Sequence, residues 1–176
     1  MKKICLDGKV LKYKNIILKA IDIDCFDDFY NHSIQKKLFD FMEYHSFQKK
    51  SVLKYLNRII KESLSSKIQY WKIIYNKKFA GTISLRNLNI ELRSAEISFA
   101  ITPKYWRRGV FSIAANILFK YAKKKKIKFI YAKTRIDNTP SIISLLKLKF
   151  KTKKLLKNFY IKNNIYYNAF FFEKKL

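Results

Sequence analysis

The sequence has few residues of the types that form turns, disulfides or metal sites. It contains three Gly, two Pro, two Cys and two His among 176 residues. Cys5 and Cys25 lack CxxC spacing and a histidine cluster, which argues against a metal site and against a disulfide framework. We interpret His32 and His45 as surface or core residues. No apolar run approaches the roughly 18 residues of a membrane span, and Met1 is not followed by a secretory core. We therefore expect a cytoplasmic protein with no membrane partner and no metal.

Acidic residues are also scarce, since 12 Asp and Glu stand against 39 Lys and Arg and the formal net charge is +27. Such an excess is typical of proteins that bind a nucleic-acid backbone. However, lysine supplies 33 of the 39 basic residues beside abundant Ile, Asn, Phe and Tyr, as an AT-rich coding sequence would produce. The lysines are spread along the chain, and the one run, residues 123–126, ends a predicted helix where cations are favoured. A basic nucleic-acid-binding module is therefore only a distant alternative.

The apolar share of 49%, with 15 Phe and 12 Tyr, favours a globular fold. The length fits one domain, residues 1–176, with a substantial core. Apolar periodicity and turn residues predict a mixed α/β sheet with helices on its faces. We expect strands at residues 14–20, 68–75, 79–85, 94–101, 129–134, 151–161 and 165–173, helices at 25–38, 49–63, 110–125 and 138–147, and a polar link at 86–93.

The chain is organised around the stretch from Ala95 to Lys120. Its apolar residues alternate as in a half-buried strand up to Ile101, and after Gly109 they recur at helical spacing. A short basic loop joins the two elements. Unpaired N–H groups at a helix start attract phosphate groups, and Arg107 and Arg108 would strengthen that field. The alternative is an ordinary strand-to-helix turn with two solvated arginines.

Three strings follow one another along the chain: AEISFAITPKYWRRGVFSIA at residues 95–114, NTPS at 138–141 with LKF at 148–150, and IYYN at 165–168. Their order and spacing resemble the GNAT family of acyl-CoA-dependent N-acetyltransferases, in particular its Rim-type branch. The branch commonly has AEIGY-x-(I/L)-x-P-x-YWGKGYATEA where this chain has AEISFAITPKYWRRGVFSIA. Its N-x-x-S and LGF strings appear as NTPS at residues 138–141 and LKF at 148–150, and its G-x-Y-x-D string as IYYN at 165–168. The resemblance extends from Leu18 to Glu173. The departures are Arg107, Phe111, Ile113 and Lys149, at positions where the branch has Gly, a small residue, Glu and Gly.

The resemblance implies a fold and a way of holding acetyl-CoA, the acyl donor. The fold is a central mixed sheet, mostly antiparallel, with helices on both faces and a splayed pair of central strands. The pantetheine arm would pair with the backbone of Phe99, Ala100 and Ile101, and Asn138 would bond its amide carbonyl unless Asn138 only caps a helix. The pyrophosphate would lie on the loop amides of Arg107, Arg108, Gly109, Val110, Phe111 and Ser112. The Phe111 ring must then point away from the cofactor.

The same resemblance implies direct attack of an amine on the thioester, which requires a base because amines are mostly protonated at neutral pH. Glu96 is the first candidate, since it shares a face of the central strand with Ser98 and Ala100. The alternative is a carboxylate paired with a neighbouring Arg or Lys. Ser141 would bond the departing thiolate, or would only cap its helix, and a backbone N–H near Ile101 would stabilise the oxyanion. Many relatives have a tyrosine acid where this chain has Leu145, so that acid is excluded here.

The acceptor is less visible in the sequence, because this fold serves many amines. Its walls should come from residues 39–47, from the link at 86–93 and from the hairpin at 158–168, which include Glu43, His45 and Glu91. The string FMEYHSF resembles Rim-type members associated with amino-sugar modification and favours a small amine such as an amino sugar. The alternative is the N-terminus of a ribosomal or other protein. Monomer and homodimer both remain open, and a degenerate fold would bind no cofactor.

Overall fold

We describe the fold from a computed structural model, for residues 6–39, 41, 46–65 and 67–176. Eight strands form one sheet in the order β1-β2-β3-β4-β5-β6-β8-β7. Neighbouring strands are antiparallel except β5 and β6, which are parallel. The strands are β1 Leu11–Tyr13, β2 Ile16–Ala20, β3 Gln69–Tyr75, β4 Lys78–Asn89, β5 Ser94–Ile101, β6 Phe129–Arg135, β7 Lys151–Lys162 and β8 Ile165–Lys175. The predicted mixed, mostly antiparallel sheet is confirmed.

The helices are α1 Phe26–Ser33, α2 Lys36–Phe39, α3 Lys49–Glu62, α4 Val110–Lys124 and α5 Thr139–Lys147. The single helix expected at residues 25–38 is wrong, because it breaks after Ser33. The Ser33 hydroxyl donates to the Phe29 carbonyl at 2.8 Å, a local bond that competes with continuation of the helix. Within the described ranges, no helix combines the length and apolar character needed to cross a membrane.

Two further boundaries differ from the sequence prediction. The first strand is a hairpin of β1 and β2, which turns at Lys14 with φ of 52° and contains no glycine to announce it. The first half of the link at 86–93 is strand, since β4 continues to Asn89 and pairs it with Ser94 after an irregularity. Asn87 adopts φ of 51° there, so the chain kinks without leaving the sheet.

Helices cover both faces of the sheet. Helix α4 packs on one face, where Ala114 and Leu118 are fully buried in the same core as Trp71. Helices α1 and α3 form a second core on the other face, around Phe29 and Leu56. Fully burying a leucine contributes about 2 kcal/mol. The alternating side chains of β5 therefore point either to the α4 core or to the side occupied by α1 and α3.

Gly81 on β4 sets how closely β4 and β5 approach. A Cβ atom at this position would lie 2.1 Å from the Ala100 carbonyl oxygen and 2.9 Å from the Ile101 Cα atom. Its φ of 142° is also one that residues with a side chain rarely adopt. A glycine is thus required here, and it fixes the position of the last residues of β5.

Candidate active site

The central strands β5 and β6 separate along their length. They pair only through Ser94, Ala95 and Glu96, which face residues 129–131. Beyond this point residues 97–101 pair with β4 alone and residues 132–135 pair with β8 alone. The splayed pair implied by the family resemblance is therefore present, and the inner edge of β5 faces a gap into which an extended chain can add.

The gap opens into a cleft of about 240 Å³. Predicted site residues on its wall are Glu96, Phe99, Ala100, Asn138 and Ser141, together with Leu145. Ile101 and the loop at 107–112 are not part of this wall. The remaining wall residues come mainly from α1, α3, β4, β6 and β7: Phe29, Phe41, Tyr55, Ile59, Tyr70, Thr82, Ser84, Arg86, Ile97, Ser98, Ala132, Lys133, Thr134, Arg135, Tyr160, Ile161 and Lys162.

The loop before α4 presents a row of backbone donors. Within the described part of the chain, no group accepts a hydrogen bond from the amides of residues 107–112, and the first helical bond runs from Ile113 N to Gly109 O at 3.0 Å. Arg107 and Gly109 adopt left-handed φ values of 60° and 71°. A left-handed φ favours glycine, which is the residue that the GNAT string quoted above has at the position of Arg107. The Trp106 indole N–H donates to the Ile101 carbonyl at 2.6 Å and ties the loop to β5.

The large side chain of Phe111 does not enter this loop. Its ring is 8% exposed and stacks on Phe99 with ring centroids 3.6 Å apart. Both rings belong to the α4 core, which is the orientation that an open loop requires. Phe99 thus turns its side chain toward α4 while its backbone borders the gap.

Glu96 is a buried carboxylate, 3% exposed, that already has three donors. Arg86 donates to one oxygen at 3.0 Å, while Asn87 and Lys133 each donate to the other at 3.1 Å. Arg86 lies directly opposite Glu96 in the β4–β5 register. The nearby Tyr131 phenol has its pKa raised by burial and by the Glu96 charge. Glu96 therefore faces the cleft as one member of an ion-pair cluster.

The start of α5 brings Asn138 and Ser141 to the cleft. The Asn138 side-chain oxygen accepts from the Ser141 backbone N–H at 3.2 Å and caps the helix. In the described residues neither the Asn138 side-chain NH₂ group nor the Ser141 hydroxyl has a partner. Capping thus uses one end of the Asn138 amide and leaves the other end available to a ligand. Leu145 is fully buried beside them.

The walls predicted for the acceptor are only partly visible. Residues 40 and 42–45, with Glu43 and His45, lie outside the described residues. Phe41, Arg86 and the β7 residues 160–162 do border the cleft, but Glu91 does not. The sequence analysis did not identify Lys133 and Arg135 of β6 as site residues, although both border the cleft. The only available signal was their spacing of two residues, which places both on one face of a strand.

His32 and Cys25 lie outside the cleft, as do Ile113 and Lys149. His32 is 1% exposed, and its Nδ1 lies 2.9 Å from the Thr102 hydroxyl. Burial lowers the pKa of His32 to about 4, so the ring is neutral near pH 7. Cys25 is a free buried thiol whose pKa is raised by burial, and Cys5 lies outside the described residues.

Comparisons with known proteins agree with this geometry. The family model described as an acetyltransferase (GNAT) domain matches residues 15–151. A search of curated protein sequences found no significant match. The fold is similar to that of many solved structures. At identities below 20%, the likeness shows the fold alone.

A structure of RimL, described as a ribosomal L7/L12 alpha-N-protein acetyltransferase, matches with a TM-score of 0.89 at 16% identity and covers 96% of this chain and 94% of that chain. The Microcin C7 self immunity acetyltransferase MccE, solved with acetyl-CoA and AMP, matches with 0.86 at 19%, covering 93% and 94%. A ribosomal-protein-S5-alanine acetyltransferase from Vibrio fischeri matches with 0.81 at 15%, covering 95% and 96%.

Proposed function

Since this chain belongs to the GNAT acetyltransferase family, and is an N-acetyltransferase whose acyl donor is acetyl-CoA, we propose that the acetyl group passes by direct attack to a primary amine. The favoured acceptor is a small molecule such as an amino sugar. The observation that carries the proposal is the separation of β5 from β6 after Glu96. The gap between the two strands connects the free edge of β5 with the cleft, where an amine can lie.

The residues proposed to hold the donor are mostly backbone groups. The free edge of β5 at residues 99–101 suits the amides of the pantetheine arm. The unpartnered amides at residues 107–112 suit the pyrophosphate, since they combine N–H donors with the positive end of the α4 dipole. The Asn138 NH₂ group suits a pantetheine carbonyl. Bound there, the donor supplies a thioester carbonyl that an amine can attack.

In the proposed reaction the amine nitrogen forms a bond to the thioester carbon, and the carbon–sulfur bond breaks. Glu96 takes the amine proton directly or through a water. A backbone N–H near Ile101 stabilises the negative oxygen, and the Ser141 hydroxyl donates to the departing thiolate. The alternative role of Glu96, as a purely structural partner of Arg86 and Lys133, is supported by the same contacts.

Two observations bear on the choice of acceptor. The cleft volume of about 240 Å³ and the aromatic side chains of Phe41 and Tyr160 on its wall support a small ring-shaped amine. The alternative, the N-terminus of a ribosomal or other protein, is supported by the fold similarity to RimL. Both acceptors would attack the thioester through the same group, a neutral primary amine.

A panel assay separates these acceptors. Release of CoA thiol from acetyl-CoA would be followed with glucosamine, with a serine-initiated peptide and with the same peptide blocked at its N-terminus. We expect turnover with glucosamine and none with the blocked peptide. Turnover with the free peptide alone would replace the favoured acceptor by the alternative, and failure of acetyl-CoA to bind would contradict the proposed use of the cleft.

A further inference from the structure

We infer that one face of the protein binds the phosphate backbone of a single-stranded nucleic acid, in addition to the proposed acetyl transfer. This face spans strand β1, the outer side of α4 and the end of β8. We call it the lysine face and define it by six of its residues: Lys12, Lys120, Lys123, Lys124, Lys174 and Lys175. It shares no residue with the cleft.

The side chains of the lysine face carry charge of one sign. No Asp or Glu lines it among the described residues, and in the same part of the chain none of the six lysines has an acidic partner. Lys9 and Lys125 border the same face, but these two share the Asp7 carboxylate at 3.9 and 2.7 Å. Soluble proteins usually intersperse both signs on their surface. Six lysines without an acidic neighbour therefore indicate a surface for an anionic partner.

The fold gathers these lysines from three separate parts of the sequence and keeps acidic residues away from them. No acidic residue occurs between Glu96 and Asp137, a stretch that contains all of α4. Four of the 12 acidic residues instead lie at positions 22, 24, 27 and 28, in the segment that packs on the other side of the sheet. A bias toward lysine codons raises the number of lysines, but it does not separate them from acidic residues in this way.

Like charges lie close together on the lysine face. Partial burial lowers the pKa of Lys174, and the positive charges of Lys149 and Lys123 lower it further. Lys120 and Lys124 are four residues apart on α4, a spacing at which like charges repel each other. A row of bound phosphates would relieve this repulsion, so the face is arranged to gain stability from a polyanion.

An exposed aromatic ring lies among these lysines. Tyr13 is 49% exposed, and the ammonium groups of Lys14 and Lys120 lie 5.5 and 5.4 Å from its ring centre. Single-stranded nucleic acids bind where a cationic surface follows the backbone and an aromatic ring stacks on a base. Binding in a membrane surface also needs apolar side chains that insert, and among the described residues Val10 is the only other exposed large hydrophobic one on this face. The combination favours a nucleic acid.

The test measures the binding of a fluorescein-labelled single-stranded RNA of about 20 nucleotides, longer than a typical binding site, by fluorescence anisotropy over a series of salt concentrations. Lys120→Gln with Lys124→Gln removes two charges from the lysine face. The matched control is Lys50→Gln with Lys54→Gln, two exposed lysines at the same spacing on α3. We expect the lysine-face variant to bind about tenfold more weakly and its slope of log Kd against log salt to fall by about 1.4, at 0.7 for each lost phosphate contact. The control should bind as the unaltered protein does.

The same titration is repeated with saturating acetyl-CoA, and thermal unfolding checks that both variants are folded. We expect acetyl-CoA to leave RNA binding unchanged, because the lysine face and the cleft have no residue in common.

Four results would overturn the inference. The first is no RNA binding at low salt. The second is an equal loss in both double variants, which would indicate a general attraction to the basic surface. The third is displacement of RNA by acetyl-CoA, which would place the RNA at the loop before α4. The fourth is a lysine-face variant that loses binding to phosphatidylserine vesicles but not to RNA, which would identify a membrane as the partner.

Discussion

The proposed site has two halves, which are built from different parts of the chain. The proposed donor half extends from the cleft to the loop before α4 and consists of backbone groups, namely the free edge of β5 and the amides at residues 107–112. The acceptor half consists of side chains from separate strands, with Glu96, Arg86 and Lys133 brought together across β4, β5 and β6. A backbone site depends on local order in the sequence, whereas a side-chain site depends on strand register. We expect the first to tolerate substitutions such as Arg107 and Phe111, and the second not to.

The largest effect should come from the acceptor half. Glu96→Gln removes the proposed base, and we expect turnover to fall by about 10²- to 10⁴-fold while the affinity for acetyl-CoA stays nearly unchanged. Steady-state kinetics with the best amine, together with calorimetric binding of acetyl-CoA, would measure both quantities.

Glu173→Gln is the matched control, because Glu173 is a carboxylate of β8 that pairs with Lys153 away from the cleft. It should leave turnover as it is. Near-normal turnover in Glu96→Gln would leave Glu96 as a structural partner of Arg86 and Lys133 and would remove the base from the acceptor half.

The donor half should be most sensitive where its backbone is crowded. Gly81→Ala puts a Cβ atom 2.1 Å from the Ala100 carbonyl oxygen, so β5 must shift, and we expect a loss of about 3 kcal/mol in unfolding free energy with weaker acetyl-CoA binding. Gly109→Ala meets no atom within 4 Å, and only its left-handed φ opposes it, at about 1 kcal/mol. Denaturant titrations of both variants would measure the two losses of unfolding free energy. Equal losses in Gly81→Ala and Gly109→Ala would contradict the expected order.

The success of the sequence predictions also differs between the donor half and the acceptor half. The strand at 94–101 and the turn into α4 were predictable, because alternation, Pro103 and Gly109 lie next to each other in the chain. The contacts of Glu96 were not, since Arg86 and Lys133 become its neighbours only through register. The β1–β2 hairpin was missed because residues 14–15 turn without glycine, and the break after Ser33 coincides with a side-chain hydrogen bond that apolar periodicity does not indicate.

The junction between the halves should respond to pH. His32 on α1 contacts Thr102 at the end of β5, and burial lowers its pKa from 6.5 to about 4. As the pH falls, His32 is therefore protonated at a higher pH in the unfolded chain than in the folded protein. The stability that the neutral ring contributes is complete above pH 6.5 and is lost as the pH falls toward 4. We expect a loss of about 2 kcal/mol between pH 7 and 5, or roughly 4–8 °C in Tm.

His32→Asn should flatten this dependence in thermal scans at the two pH values. Asp7 and Asp137 have pKa values lowered below 3.8, so their contribution is lost only at more acidic pH. A slope that persists unchanged in His32→Asn would show that another group controls it.

The smallest effect should come from Asn138 and Ser141, which form the N-terminal cap of α5 and are proposed to contact the ligand as well. Ser141→Ala keeps the backbone N–H that Asn138 caps, so the fold should be unchanged while the loss of a hydrogen bond to the thiolate lowers turnover by about tenfold. Asn138→Ala removes the cap and should cost about 1 kcal/mol of stability as well. Kinetics and thermal unfolding of the pair distinguish the two roles, and an unaltered rate in Ser141→Ala would assign Ser141 to capping only.

The central claim, that the gap between β5 and β6 and the amides before α4 bind acetyl-CoA, is tested most directly by thermal unfolding with and without acetyl-CoA at low and high salt. Cofactor at about 100 times its Kd should add about 2.7 kcal/mol, which is a rise in Tm of roughly 5–10 °C for a domain of this size. A rise that persists at high salt is the predicted result. No rise, or one that disappears with salt, would contradict the claim and would mean that only the basic surface attracts the ligand.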